Sequence, residues 1–241
     1  MSGVGARITA HLWCVDLDID TDLNQLVARL AKDERDRAAS FVFERDRRRF
    51  AVARSTLRSI LSLWVGIAPQ RLELEYSSRR KPQLAPWCRV ADLRFNVSHS
   101  QGLALVVLTH GHEIGVDIEQ IRYLEDARAL AASEFSDAER AAFEALPVAF
   151  QSEAFLRAWV RKEAFLKATG EGLHRSLADI EVTFAPHEDA RLLAVSSDVN
   201  ASQRWSMISL VPCAGFTGAI VAEAPAVELA SHGFYRAAQP V

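Results

Sequence analysis

The amino-acid sequence predicts an α+β fold built as two similar halves, each a long helix packed on a small, mainly antiparallel sheet. Three observations carry this. Segments of helical period come in clusters ahead of clusters of strand-like segments, and the two do not alternate. The order of long helix then short strands occurs twice along the chain. No Rossmann or Walker glycine pattern, the mark of a doubly wound nucleotide-binding sheet, is present. The halves are drawn at residues 1–111 and 112–241.

In the first half, residues 9–18 read as a strand ending in the turn-rich DLDIDTD. Residues 23–65 have helical spacing, opening with Leu23, Leu26, Val27 and Leu30 on one face. The long helix, residues 44–64, carries the stripe Phe50, Ala53, Leu57, Ile60, Leu61 and Trp64, and Gly66 and Pro69 stop it. Strands follow at residues 72–76, 93–97, 103–109 and 113–121, with 78–92 a Pro-containing loop. In the second half, helices are expected at residues 122–132, 137–146 and 149–168, and strands at 180–184, 192–196, 204–211 and 216–222. No element is assigned beyond Ala222.

The chain has 241 residues, formal net charge −3, and 49% hydrophobic and 24% charged residues, which excludes a disordered chain. With 11 Gly and 8 Pro it is no collagen, and near-neutral charge argues against a nucleic-acid partner. Cys14, Cys88 and Cys213 fit no zinc or redox spacing, as expected in a reducing compartment. MSGVGARITA lacks a basic region followed by an apolar core, and runs such as residues 103–108 are too short to span a bilayer. A cytoplasmic protein without membrane or nucleic-acid partners is the expectation. Of 28 Lys and Arg only four are lysines: Lys32, Lys81, Lys162 and Lys167.

Four groups of residues could carry chemistry. In GVDIE, strand alternation points Asp117 and Glu119 to one face, either as oxygen ligands for a divalent cation or as a solvated acidic face. On the helix FLRAWVRKEAFLK, residues four apart place Phe155, Trp159, Glu163 and Lys167 in one line, so two charges extend an aromatic stripe. They are either a surface ion pair or groups that face a ligand. In FNVSHS, Ser98 and His99 lie at a strand end, where His99 is either a structural hydrogen-bonding residue or a phosphate binder. The run Arg45, Arg47, Arg48, Arg49, Arg54 and Arg58 is either a solvated helix face or a source of phosphate-binding forks, and Lys81-Pro82 adds a further cation.

In that order and at that spacing, FNVSHS, GVDIE and WVRKEAFLKATGEGL closely resemble the Sfp-type 4′-phosphopantetheinyl transferases. Arg48-Arg49-Phe50 through Arg58 looks like the family's first-half helix, and Arg80-Lys81-Pro82 like its Gly-Lys-Pro loop, with Arg80 replacing the glycine. The resemblance implies two α+β halves about a pseudo-twofold axis, with coenzyme A in the cleft between them. It implies transfer of phosphopantetheine from coenzyme A to a serine of an apo acyl or peptidyl carrier protein, releasing adenosine 3′,5′-bisphosphate. The carrier would serve fatty acid, polyketide or nonribosomal peptide synthesis, and the enzyme would be a monomer. By the same resemblance Asp117, Glu119 and Glu163 hold Mg2+, Glu163 is the base, and Lys167 contacts the phosphates with Lys162 assisting. Arg49, Lys81, Ser98 and His99 bind coenzyme A, with Arg37 in the same pocket, and Ile121 replaces a hydroxyl residue that touches phosphate in some relatives. A Mg2+-dependent phosphohydrolase and a coenzyme A-binding regulatory module are the competing readings.

Overall fold

The computed structural model describes residues 7–76, 81–88, 92–172 and 175–235. The first half holds β1 (Ile8–Asp16), α1 (Leu23–Ala28), α2 (Lys32–Ala39), α3 (Glu44–Val65), β2 (Leu74–Tyr76), β3 (Pro82–Leu84), β4 (Leu93–Ser100) and β5 (Leu103–His110). The second holds β6 (Ile114–Gln120), α4 (Ala127–Glu134), α5 (Asp137–Glu144), α6 (Val148–Thr169), β7 (Ile180–Val182) and β8 (Leu192–Val195). It continues with α7 (Ala201–Arg204), β9 (Ser206–Leu210), β10 (Phe216–Ala222) and β11 (Val227–Phe234).

The expected α+β pair of halves is present, and the halves match strand for strand. One sheet runs β1-β5-β4 and the other β6-β10-β9, antiparallel throughout these strands. The long helices match residue for residue. α3 and α6 each have 22 residues, and each ends on a left-handed glycine, Gly66 and Gly170. Each buries a cation at its fifteenth residue, Arg58 and Lys162. Each cation meets the third residue of the short helix before it, Glu34 of α2 and Glu139 of α5. Those carboxylates also accept the N–H that opens their own helix, from Ala31 and Ser136, both at 3.0 Å.

Apolar alternation explains the layering. Trp13 and Val15 of β1 join Ala104, Val106 and Leu108 of β5 in a core with Leu57, Ile60 and Leu61 of α3. Ala219 and Val221 of β10 join Ala164 and Phe165 of α6 in a second. The opposite faces meet each other: Leu12, Leu105 and Val107 pack with Val116, Ile118 and Ile220 in a third core shared by the two sheets. Helix, sheet, sheet, helix is the resulting stack.

The helical span 23–65 comprises three helices, the last of them the long helix expected at 44–64. Three expectations are corrected. The helix expected from residue 122 starts at Ala127, because Ser152 of α6 accepts the Leu124 N–H at 3.0 Å and holds that segment as a connector. The loop at 78–92 contains β3, paired with β2 through Leu74–Leu84, Glu75–Gln83 and Tyr76–Pro82. Proline is tolerated there because it opens an edge strand. Arg80 lies outside the described residues. Finally, the tail assigned to the second half pairs with the first: β11 runs parallel to β1, Ile8 opposite Val227 through Leu12 opposite Ser231. It covers an edge that β1 would otherwise leave open.

β6 lies directly on the backbone of α6. A Cβ on Gly115 would stand 2.1 Å from the Ala164 carbonyl oxygen and 2.4 Å from the Ala168 nitrogen. Gly115→Ala is therefore expected to cost on the order of 3 kcal/mol through forced separation of strand and helix. Gly111→Ala, at φ 73° in open space, should cost only about 1 kcal/mol. Urea unfolding of both variants checks this, and equal losses would contradict the close-contact assignment.

Candidate active site

The contact at Gly115 determines what lies two residues further along β6. Asp117, on the same face, is carried to Glu163 and Lys167 on α6, and is itself buried. The Lys167 ammonium lies 2.6 Å from Asp117 Oδ1 and donates to Ser98 Oγ at 2.9 Å. Ser98, from β4 of the other half, donates its own proton to Asp117 Oδ1 at 2.7 Å. One turn before Lys167 stands the half-buried Glu163, preceded on the same line by Trp159 and Phe155, whose rings are 5.9 Å apart.

β4 and β6 are neighbours without backbone pairing, and side chains take over that role. Asn96 Oδ1 accepts the Val116 N–H at 3.0 Å, and Ser100 Oγ accepts the Gln120 N–H at 3.2 Å. Together with Ser98 they form three alternate rungs from the first half onto the open edge of β6. Ser100 also donates to Glu119 Oε2 at 2.8 Å, and Arg122 lies 3.5 Å from that oxygen. Ser100, the second serine of FNVSHS, shares the face of Ser98 by its two-residue spacing.

Two oxygens at this seam are buried without a hydrogen-bond partner among the described residues, Asp117 Oδ2 and Glu163 Oε1. Burial, and next the charge of Asp117, pushes the Glu163 carboxyl above its ordinary 4.5; Lys167 opposes this and Glu119 adds to it. Among the described residues no three His, Cys, Asp or Glu side chains form a ready-made cage for an ion. The orphaned oxygens nevertheless fit a hard divalent cation, which takes one or two carboxylates from the protein and its remaining ligands from phosphate and water.

The other expected ligand-binding residues are distributed as follows. Arg49 of α3 gives Nε and Nη2 to Asp18 at 2.7 and 2.6 Å, and Gly102 backs this pair: a Cβ there would stand 2.4 Å from Asp18 Oδ2. Lys81 reaches across to the second half, donating to Glu113 Oε2 at 3.0 Å and to the Ala168 carbonyl at 3.2 Å in the last turn of α6. Burial lowers the Lys81 ammonium from its ordinary value, against the pull of Glu113. His99 is exposed, on the opposite face of β4 from Ser98. Arg37 is exposed too, its guanidinium 5.6 Å from the centre of the Phe50 ring. In the basic run, Arg54 and Arg58 are taken by Glu34 and Arg48 by the Thr21 carbonyl.

Lys162 is a correction. It is fully buried on another face of α6, donating to Glu139 at 2.6 Å and to the carbonyls of Leu177 and Glu134 at 3.0 and 3.1 Å. Its ammonium also sits 4.8 Å from the Phe135 ring centre, and burial lowers its pKa against the pull of Glu139. All of these partners belong to the second half's interior, so Lys162 ties α6 to α5 and is not placed to meet a ligand.

Twin α+β halves thus meet at a seam that gathers carboxylates and an ammonium. Residues 113–215 match the 4′-phosphopantetheinyl transferase superfamily, and residues 18–111 match the N-terminal region of a 4′-phosphopantetheinyl transferase family. The 4′-phosphopantetheinyl transferase HetI of Nostoc is 39% identical over 203 residues, 84% of this chain and 82% of that protein. The putative 4′-phosphopantetheinyl transferase slr0495 of Synechocystis is 30% identical, over 76% of this chain and 72% of that protein. A 4′-phosphopantetheinyl transferase of Bacillus subtilis is 25% identical, over 66% and 68%. The chain belongs to the 4′-phosphopantetheinyl transferase superfamily and is an enzyme of that kind. No helix among the described residues is long and apolar enough to cross a membrane.

Two outcomes follow from this geometry. Lys162→Met should destabilise the protein by about 3–5 kcal/mol, because it strands a buried carboxylate, and Lys162→Met/Glu139→Gln should recover part of the loss. Thermal melts of the single and double variants measure it. For Glu163, a folded pKa above the unfolded one means stability is full below about 4.5 and is lost as pH rises through the folded value. Melts in EDTA should show Glu163→Gln gaining on the wild type as pH rises from 4.5, with the two converging in acid.

Proposed function

We propose that the chain transfers the 4′-phosphopantetheine group of coenzyme A to a serine hydroxyl of an apo acyl or peptidyl carrier protein. The serine oxygen attacks the phosphopantetheine phosphorus, the pyrophosphate P–O bond breaks, and adenosine 3′,5′-bisphosphate leaves with the electron pair. The observation that carries this reading is the pair of orphaned oxygens, Asp117 Oδ2 and Glu163 Oε1, beside the Lys167 ammonium.

Glu163 takes the serine proton. A carboxyl raised by burial and by a neighbouring carboxylate is a stronger base than a solvated one. Lys167, 2.6 Å from Asp117 Oδ1, offers its ammonium to the departing phosphate. Ser98 links these two residues, donating to Asp117 and accepting from Lys167. Arg49, its fork oriented by Asp18, and Lys81, spanning the halves, supply cations for coenzyme A, with His99 exposed at the same strand end. Asp117 and Glu163, with Glu119 beside them, would hold Mg2+, which would supply charge neutralisation for the pyrophosphate. The enzyme works as a monomer, since one chain already carries both halves of the seam.

Incubating the protein with coenzyme A, Mg2+ and a panel of apo carriers should add the mass of phosphopantetheine to a carrier. Glu163→Gln should lower the transfer rate about 100-fold or more while coenzyme A still binds. Folded protein that leaves every carrier unchanged, or releases free phosphopantetheine without a carrier, would contradict the proposal.

A further inference from the structure

We infer that Ser100 is a positioning residue for Glu119, through which the first half of the chain sets the geometry of a carboxylate in the second. The inference rests on the transfer reading above and adds a residue to it. Ser100 is the last residue of β4 and is buried. Its oxygen accepts the Gln120 N–H at 3.2 Å, which fixes the direction of the hydroxyl. A serine has a single proton to give, and Ser100 gives it to Glu119 Oε2 at 2.8 Å.

The neighbouring groups make this bond the stronger hold on Glu119. Arg122 lies further off, at 3.5 Å, and its side chain is half exposed to water, so it restrains the carboxylate weakly. Ser100 belongs to the same ladder as Asn96 and Ser98, and its oxygen is held at both ends, by the Gln120 N–H and by Glu119. A carboxylate that approaches a cation loses rotamer freedom on binding, and a buried donor that has already removed that freedom strengthens the site. The device mirrors Ser98 on Asp117, where a hydroxyl of the first half likewise donates to a carboxylate of the second.

The test is a Mn2+ titration of the full chain, followed by electron paramagnetic resonance, which needs neither carrier nor coenzyme A. Ser100→Ala should weaken Mn2+ binding about tenfold, the range typical for a residue behind a metal ligand. Ser100→Thr, which keeps the hydroxyl, should restore it, and Ser100→Cys, close in volume but a weak donor, should resemble the alanine variant. Adding Ser100→Ala to Glu119→Gln should change Mn2+ affinity no further, because one residue acts through the other. Equal Mn2+ affinity in wild type and Ser100→Ala overturns the inference, as does a full further loss in the double variant. Carrier loading by the wild type judges the transfer reading separately.

Discussion

The site depends on one close contact, the seating of β6 on the backbone of α6 at Gly115. Only a residue without a Cβ leaves room for the Ala164 carbonyl and the Ala168 nitrogen. That seating brings Asp117 against Lys167 and beside Glu163, since strand residues two apart share a face and helix residues four apart share a line. A second glycine lets the paired strand come close along the edge of β6: a Cβ on Gly218 of β10 would stand 2.8 Å from the Asp117 carbonyl oxygen. With both neighbours so near, β6 has little freedom to shift, and backbone packing fixes the strand positions from which its carboxylates project.

The two halves share a scaffold and divide the work. Arg58 and Lys162 occupy the same position in matched helices and answer matched glutamates, so a buried ion pair holds each long helix to its short partner. At the positions of Glu163 and Lys167, however, α3 carries Ser59 and Leu63. The second half keeps the carboxylates and the ammonium. The first contributes β4, whose Asn96, Ser98 and Ser100 satisfy the open edge of β6 and its acidic side chains. Chemistry at a seam of this kind requires both halves in register, and β11, crossing back to pair with β1, ties the second half to the first.

Local patterns were readable where local physics decides them. The ends of α3 and α6 at Gly66 and Gly170 follow from the left-handed stop, and the line from Phe155 to Lys167 follows from the helical period. The same period puts Lys162 off that line; the family resemblance, not the spacing, had drawn it into the ligand site, and Glu139 claims it instead. β11 was not readable because a parallel pairing with β1, more than 200 residues away in sequence, leaves no local signature in VELASHGF. The partner of Ser100 is not readable because it lies on another strand, and only the side-by-side placement of β4 and β6 gives that hydroxyl its target. The near-neutral charge of the chain likewise concealed a seam where cations and carboxylates concentrate.

A crystal structure with coenzyme A and Mn2+ tests the central claim most directly, because anomalous scattering locates the ion without reference to activity. The arrangement at the seam predicts an ion between Asp117 and Glu163, with the coenzyme A pyrophosphate against it and within reach of Lys167. An ion or a pyrophosphate bound away from β6 and α6, with Asp117 Oδ2 and Glu163 Oε1 still unpartnered, would contradict it.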